Sequence, residues 1–322
     1  MSTVAAVAIG RNEGARLLRC LSTLKDQVAR VVYVDSGSSD GSVQAARELG
    51  AEVVLLDTSV PFTAARARNA GFEALKAQGL PDLVQFVDGD CGLVPGWIAA
   101  AVAELEARPE VGIVTGWRSE IHPEASIYNA LAEFEWHRPA GEIAACGGDM
   151  MVRATAFDAV GGFNPTVIAA EDDEFCARMR KSGRKIERLP LPMTRHDAAM
   201  TRFSQWWQRA IRSGHGFAQV GALHPEHFVA EQRRVWMFGA ILPLILLVGL
   251  ASVWHVAVLV LLAYGLSYLR TVGGLTREGL PRKQARAQAV FLSLSKFPNL
   301  IGMLRYYLRR ARGSAMRIIE YK

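Results

Sequence analysis

Apolar and polar positions divide this chain into two regimes. Through the first 200 residues, short apolar runs alternate with stretches of helical periodicity. The runs are VAAVAI (4–9), RVVYVD (30–35), AEVVLL (51–56), LVQFVD (83–88) and VGIVTG (111–116), and the helical stretches fall at 14–27, 40–49, 63–78 and 95–107. Runs this short and this rich in β-branched residues predict strands buried on both faces. Strand–helix alternation at this spacing predicts an α/β fold with a mixed, mostly parallel sheet covered by helices. Ligands bind beyond the carboxyl ends of strands in such sheets, so the residues that follow each run are the ones to read for chemistry.

The second regime begins after Arg234. The next 35 residues, 235–269, contain no Asp, Glu, Lys or Arg. One membrane helix needs about 20 apolar residues, so this stretch predicts two short spans turning near Ser252-Val253-Trp254-His255. The following AQAVFLSLSKFPNLIGMLRYYLRRAR mixes apolar residues with bases and contains Pro298, which predicts a broken amphipathic segment lying in the headgroup layer. The domains expected are therefore a catalytic α/β domain at 1–220, a connector at 221–234, a transmembrane hairpin at 235–269 and a basic interfacial tail at 270–322.

Charge sharpens this division. The net charge is +6, yet residues 270–322 hold twelve Lys and Arg against two acids, which leaves −4 for the first 269. A basic tail beside an apolar hairpin suits anionic lipid, and nucleic acid is not an expected partner. By the positive-inside rule, Arg233, Arg234, Arg277, Arg282 and Lys283 place the flanks, and the catalytic domain with them, on the cytoplasmic side of a plasma (bacterial-type inner) membrane. Cys20, Cys91, Cys146 and Cys176 are scattered without a CxxC pair, which predicts free thiols in a reducing compartment. The opening MSTVAAVAIGRNEG lacks the features of a signal peptide and reads as a first strand.

Two of the strands end in acid-rich turns. In YVDSGSSDGS, Gly37 and Gly41 permit a sharp turn, Asp35 can accept a hydrogen bond from a ligand N–H such as uracil N3, and Asp40 reads as a helix cap. In QFVDGDC, Asp88 and Asp90 flank Gly89, which has no side chain. Two hard oxygen ligands in that arrangement suit Mg2+ or Mn2+ shared with a diphosphate.

Further motifs follow in order. Ala8-Ile9-Gly10-Arg11-Asn12-Glu13, VDSGSSDGS, Ala67-Arg68-Asn69-Ala70-Gly71, VDGD, Gly161-Gly162-Phe163 and Glu171-Asp172-Asp173-Glu174 through Arg178 together resemble an inverting family 2 glycosyltransferase of the GT-A fold over roughly residues 3–220. The resemblance implies that Asp35 holds the nucleotide base in a pocket lined by Ile9, Arg11 and Glu13. It places Arg68 near the phosphates and Asp88, Gly89 and Asp90 at ribose and metal. Asp172 becomes the base that deprotonates an acceptor hydroxyl, its ionised form favoured at a helix N-terminus. His196 is the position where many relatives complete the metal site. Trp206, Trp207 and Arg209 face acceptor or bilayer interface. Gln205 to Ala210 departs from the Q-x-x-R-W of processive synthases, which implies addition of a single sugar.

The reading expected is a membrane-bound, Mn2+- or Mg2+-dependent transferase. Its donor is a nucleotide-sugar, with a lean to UDP-sugar, and its acceptor is a lipid-linked or other glycan of the exopolysaccharide or cell-envelope kind; no nucleic acid is expected, and partners in a polysaccharide assembly system are. The rivals are a sugar-1-phosphate nucleotidyltransferase, which wants a glycine-rich basic loop that AIGRNEGAR lacks, and a non-catalytic membrane-anchored scaffold, which has no use for both acidic clusters.

Overall fold

A computed structural model describes residues 2–320. Its strands are β1 (Val4–Gly10), β2 (Arg30–Asp35), β3 (Glu52–Leu55), β4 (Leu83–Asp88), β5 (Cys91–Leu93), β6 (Val111–Glu120), β7 (Gly141–Glu142), β8 (Met150–Arg153) and β9 (Lys185–His196). The helices are α1 (Ala15–Leu24), α2 (Ser42–Glu48), α3 (Ala64–Ala77), α4 (Trp97–Ala107), α5 (Ile127–Trp136), α6 (Ala154–Ala159), α7 (Glu171–Lys181), α8 (Phe203–Leu223), α9 (Val229–Trp236), α10 (Leu242–Ser252), α11 (Trp254–Arg277), α12 (Arg282–Leu294) and α13 (Lys296–Ala311). Two compact units result, one of residues 1–125 and 132–199, the other of residues 126–131 and 200–322.

All nine strands belong to the first unit and form one mixed sheet in the order β3-β2-β1-β4-β8-β6-β9-β5, with β7 added on β9. The first four strands of that order are mutually parallel. Strand β8 runs antiparallel to both β4 and β6, and β9 returns parallel to β6. Apolar clusters lie on both faces. One gathers Val7, Val34, Phe72, Phe86, Phe157, Phe163 and Phe175, the other Leu17, Leu21, Tyr33, Val87, Trp97 and Leu105. Two-sided burial is what the unalternating apolar runs require.

Strand β9 runs from Lys185 through Pro190 and Pro192 to His196, and its pairing with β6 shifts register near those prolines. Irregular pairing removes the need for the amide that proline lacks. The short strands β5 and β8 have no clear period and were not expected; each is an antiparallel addition specified by its partners.

In the second unit, α9, a π-helical turn at Met237–Ile241 and α10 form one continuous helix, apolar from Val235 onward, and α11 follows after Val253. The spans Val229–Ser252 and Trp254–Arg277 are both long and apolar enough to cross a membrane. Much of their apolar surface is exposed, Leu247, Leu250, Leu259 and Leu262 among it. The basic segment breaks at Ser295 rather than at Pro298, because the first turn of α13 has no use for the missing amide. One face of α13 is covered by α8, where Cβ atoms added at Gly214 and Gly302 would lie 2.0 Å from the carbonyl oxygens of Asn299 and Ile211. Trp206 is buried among the rings of Tyr128, Phe203 and Phe291.

Helix α3 meets the sheet at Gly71, where an added Cβ would stand 2.3 Å from Val7 Cγ1 and 3.0 Å from Val34 Cγ2. Gly71→Ala is expected to destabilise the first unit by about 1–3 kcal/mol through overpacking, seen as a lowered thermal midpoint.

Candidate active site

The carboxyl ends of β1, β2 and β4 lie side by side, because Ile9 is in register with both Val34 and Asp88. Gly89 follows Asp88, and its N–H donates to the Ile9 carbonyl at 2.7 Å. A Cβ at this position would lie 3.0 Å from that oxygen, so the backbones can approach only at glycine. The Glu13 side chain lies close over Gly89 and pairs with Arg16 at 2.9 Å. Arg11 is exposed, its guanidinium 4.8 Å from the centre of the Phe62 ring.

Asp35 shapes its own turn. Its Oδ2 accepts the amides of Gly37 and Ser38 at 2.9 and 2.8 Å, and its Oδ1 accepts the Tyr33 hydroxyl at 2.9 Å. Asp40 accepts the Ser42 amide and hydroxyl at 3.1 and 2.6 Å, tying down the first residue of α2, and these bonds lower its pKa.

Arg68, buried on α3, bridges two acids from different elements. Its Nη2 reaches Asp88 Oδ1 at 2.6 Å and its Nη1 reaches Glu171 Oε1 at 2.9 Å. Arg118 on β6 meets Asp88 Oδ2 at 3.4 Å and Asp149 Oδ2 at 2.7 Å, with its guanidinium over the Trp136 ring. Asp149 also accepts the Asp88 amide at 2.9 Å and the Thr194 hydroxyl at 2.9 Å. Burial alone would push the Asp88 carboxyl up; Arg68 and then Arg118 outweigh it and hold it well below the usual carboxylate range. The arrangement depends on Gly148, where an added Cβ would lie 2.0 Å from Arg68 Nη2.

Asp90 has different company. It is buried, and its Oδ2 lies 3.2 Å from His196 Nε2. Strand register produces the meeting, since His196 pairs with Cys91 on β5 and with Glu120 on β6. Burial lowers the His196 pKa against the opposing pull of Glu120, which favours the neutral imidazole that ligates metals. A carboxylate oxygen and an imidazole nitrogen at this separation can share one divalent cation, so the donor set fits Mn2+ or Mg2+. Cys91 lies within the same 4.8 Å cluster, but burial raises its pKa, keeping it a thiol, and it donates to Asp90 Oδ1 at 3.5 Å. Of the three metal ligands expected, Asp90 and His196 come together, while both oxygens of Asp88 face arginines.

Asp172 stands in the first turn of α7, after Ala170 in the left-handed conformation. A Cβ at Gly147 would lie 3.8 Å from its Oδ2, which places it beside the 147–149 segment. Burial and then neighbouring Glu171 raise its pKa to about 6, against the opposing effect of Arg68. Glu174 and Arg178 pair through two bonds of 2.8 Å, and Arg178 also donates to the carbonyls of Val160 and Gly162. Arg178 thus holds the Gly161-Gly162-Phe163 turn, and Asn69 holds its other side through Phe163.

Sequence reasoning missed Arg118, Glu120 and Asp149. Each lies at a strand end with no local motif around it. The one available signal was Asp149 directly after Gly147-Gly148 and before an apolar run.

The family model described as Glycosyl transferase family 2 matches residues 7–156. The domain is a family 2 glycosyltransferase. A second model, described as the N-terminal domain of galactosyltransferase, matches residues 125–202. A Pre-mycofactocin glycosyltransferase of Mycobacterium tuberculosis is 25% identical over 230 residues, 67% of this chain and 47% of that protein. A TPR repeat-containing protein of Synechococcus elongatus is 33% identical over 142 residues, 43% of this chain and 33% of that protein. The chain therefore spans about half the length, or less, of these curated relatives. Among solved structures, a mannosyltransferase of Pyrobaculum calidifontis in complex with GDP-Man and Mn2+ superposes with a TM-score of 0.60 at 19% identity, covering 93% of this chain and 87% of that one. That likeness establishes the GT-A fold.

Arg68→Gln leaves Asp88 and Glu171 without their shared cation and is expected to cost roughly 3–5 kcal/mol at pH 7. The Asp88 pKa is depressed in the folded state, so its contribution to stability is present above the unfolded value of about 4 and fades as pH falls below it. The difference in unfolding free energy between the two proteins should accordingly shrink from pH 7 to pH 3, as followed by denaturant melts.

Proposed function

We propose that the chain transfers one sugar from a nucleoside-diphosphate sugar to an acceptor hydroxyl with inversion at the anomeric carbon. One observation carries this reading: the strand-end acid Asp88, two residues before Asp90, is joined through Arg68 and Glu171 to the helix turn that bears Asp172. Donor-side and acceptor-side chemistry are thereby held in one rigid frame.

Asp172 is the base. Its pKa of about 6 leaves it mostly ionised at neutral pH yet close enough to accept a proton as the hydroxyl attacks. Asp90 and His196 would hold Mn2+ or Mg2+, whose positive charge stabilises the departing diphosphate. Arg68 and Arg118 keep Asp88 ionised, so its carboxylate can accept hydrogen bonds from the donor ribose while adding no unbalanced charge near the phosphates. Asp35, with Ile9, Arg11 and Glu13, forms the base pocket, and a uracil N3–H is the group that Asp35 accepts. The donor is accordingly a UDP-sugar. A nucleotidyltransferase is disfavoured because the first turn offers a single exposed arginine, Arg11, where a triphosphate needs a basic glycine-rich loop.

The exposed apolar spans and the basic α12 and α13 support attachment to an anionic membrane, with the catalytic unit on the cytoplasmic face and a lipid-linked glycan of the cell envelope as acceptor.

With a panel of nucleotide sugars, UDP-sugar hydrolysis or transfer should require Mn2+ or Mg2+ and stop with EDTA; a preference for another base overturns the uridine reading. Asp172→Asn should lower turnover by about 10²–10⁴-fold while leaving nucleotide binding intact. The rate of the unsubstituted enzyme should rise with pH through an apparent value near 6, because the ionised carboxylate is the active form. In flotation assays the whole chain should rise with phosphatidylglycerol vesicles; a chain that stays soluble without detergent and does not float refutes the anchor.

A further inference from the structure

We infer that Glu120 is the positioning residue that aims His196 at the cation, an inference that rests on the metal-dependent reading above. Glu120 closes β6 in register with His196, and its side chain is fully buried. Its Oε2 lies 3.3 Å from His196 Nδ1 and accepts the Ala198 amide at 3.0 Å, while Oε1 accepts the His122 amide at 3.3 Å. The Trp136 ring stands edge-on to the imidazole, with centroids 4.8 Å apart.

A carboxylate only accepts hydrogen bonds, so a ring nitrogen that faces one directly must carry a hydrogen. Both ring nitrogens face carboxylates, Nδ1 that of Glu120 and Nε2 that of Asp90 at 3.2 Å; a cation between Asp90 and Nε2 takes the place of a hydrogen there, so the one hydrogen of the neutral ring belongs on Nδ1, where Glu120 accepts it. Had Nδ1 faced an N–H group instead, the hydrogen would sit on Nε2 and no cation could bind there. Carboxylates that hold the far nitrogen of a ligating histidine raise its basicity and fix its orientation, and their removal commonly weakens metal binding by about 10–100-fold. Burial of Glu120 keeps the acceptor free of competing water. The Ala198 amide on the same oxygen and the His122 amide on the other fix the carboxylate against the ring.

The test is a Mn2+ titration of the whole chain with UDP present, reading free Mn2+ by electron paramagnetic resonance. Glu120→Leu should weaken Mn2+ binding by about 10–100-fold. The same substitution in a His196→Ala background should change it little, because the effect runs through the imidazole. Unchanged affinity, or an equal loss in both backgrounds, overturns the inference. If Glu120→Leu does not fold, the unsubstituted chain decides the matter: with 15N-labelled histidine and Mg2+, His196 must show a protonated Nδ1 and an unprotonated Nε2, and the opposite tautomer refutes it. Failure of the unsubstituted chain to bind Mn2+ at all removes the cation reading itself, whereas normal binding with a silent Glu120→Leu removes only the role of Glu120.

Discussion

Charge compensation around Arg68 is the constraint on which this site depends. Asp88, Asp149, Glu171 and Asp172 crowd the rim of one sheet, where the dielectric is low and repulsion between carboxylates is strong. Arg68 and Arg118 lie between them and pair with Asp88, Asp149 and Glu171. This division decides which acids remain for chemistry. Asp90 is left to His196, and burial and then neighbouring Glu171 leave Asp172 with a raised pKa.

The compensation is possible only where the backbone makes room. Gly148 gives Arg68 the space it occupies, and Gly89 lets the β4 turn close on the Ile9 carbonyl. A larger residue at either place would move a charged group away from its counter-charge. The site therefore couples backbone approach to electrostatics, and small changes in packing translate into changes of ionisation.

Strand β9 supplies the second half of the arrangement. Its irregular path past Pro190 and Pro192 carries His196 to the end of the sheet, next to Cys91 and Glu120. A histidine from the far end of the unit thereby meets an acid that lies 106 residues before it. The second unit follows a different logic: its helices keep apolar surface outward and pack on each other through glycines. In water such exposed apolar surface is costly.

Much of this was legible in the chain. The apolar runs that end at Asp35 and Asp88 marked β2 and β4 to the residue, because a buried strand needs uninterrupted apolar side chains and an acid ends that burial. The acid-rich start of α7 and the 35 uncharged residues were equally plain, since each is a local pattern. Even the loop glycines announced themselves. What local pattern could not show was pairing across distance. Nothing near Glu120 names His196, nothing near Arg118 names Asp149, and nothing beside Asp88 names the two guanidinium groups that flank it. Register between strands made those choices, because it alone determines which side chains from remote segments share a few ångströms of buried space.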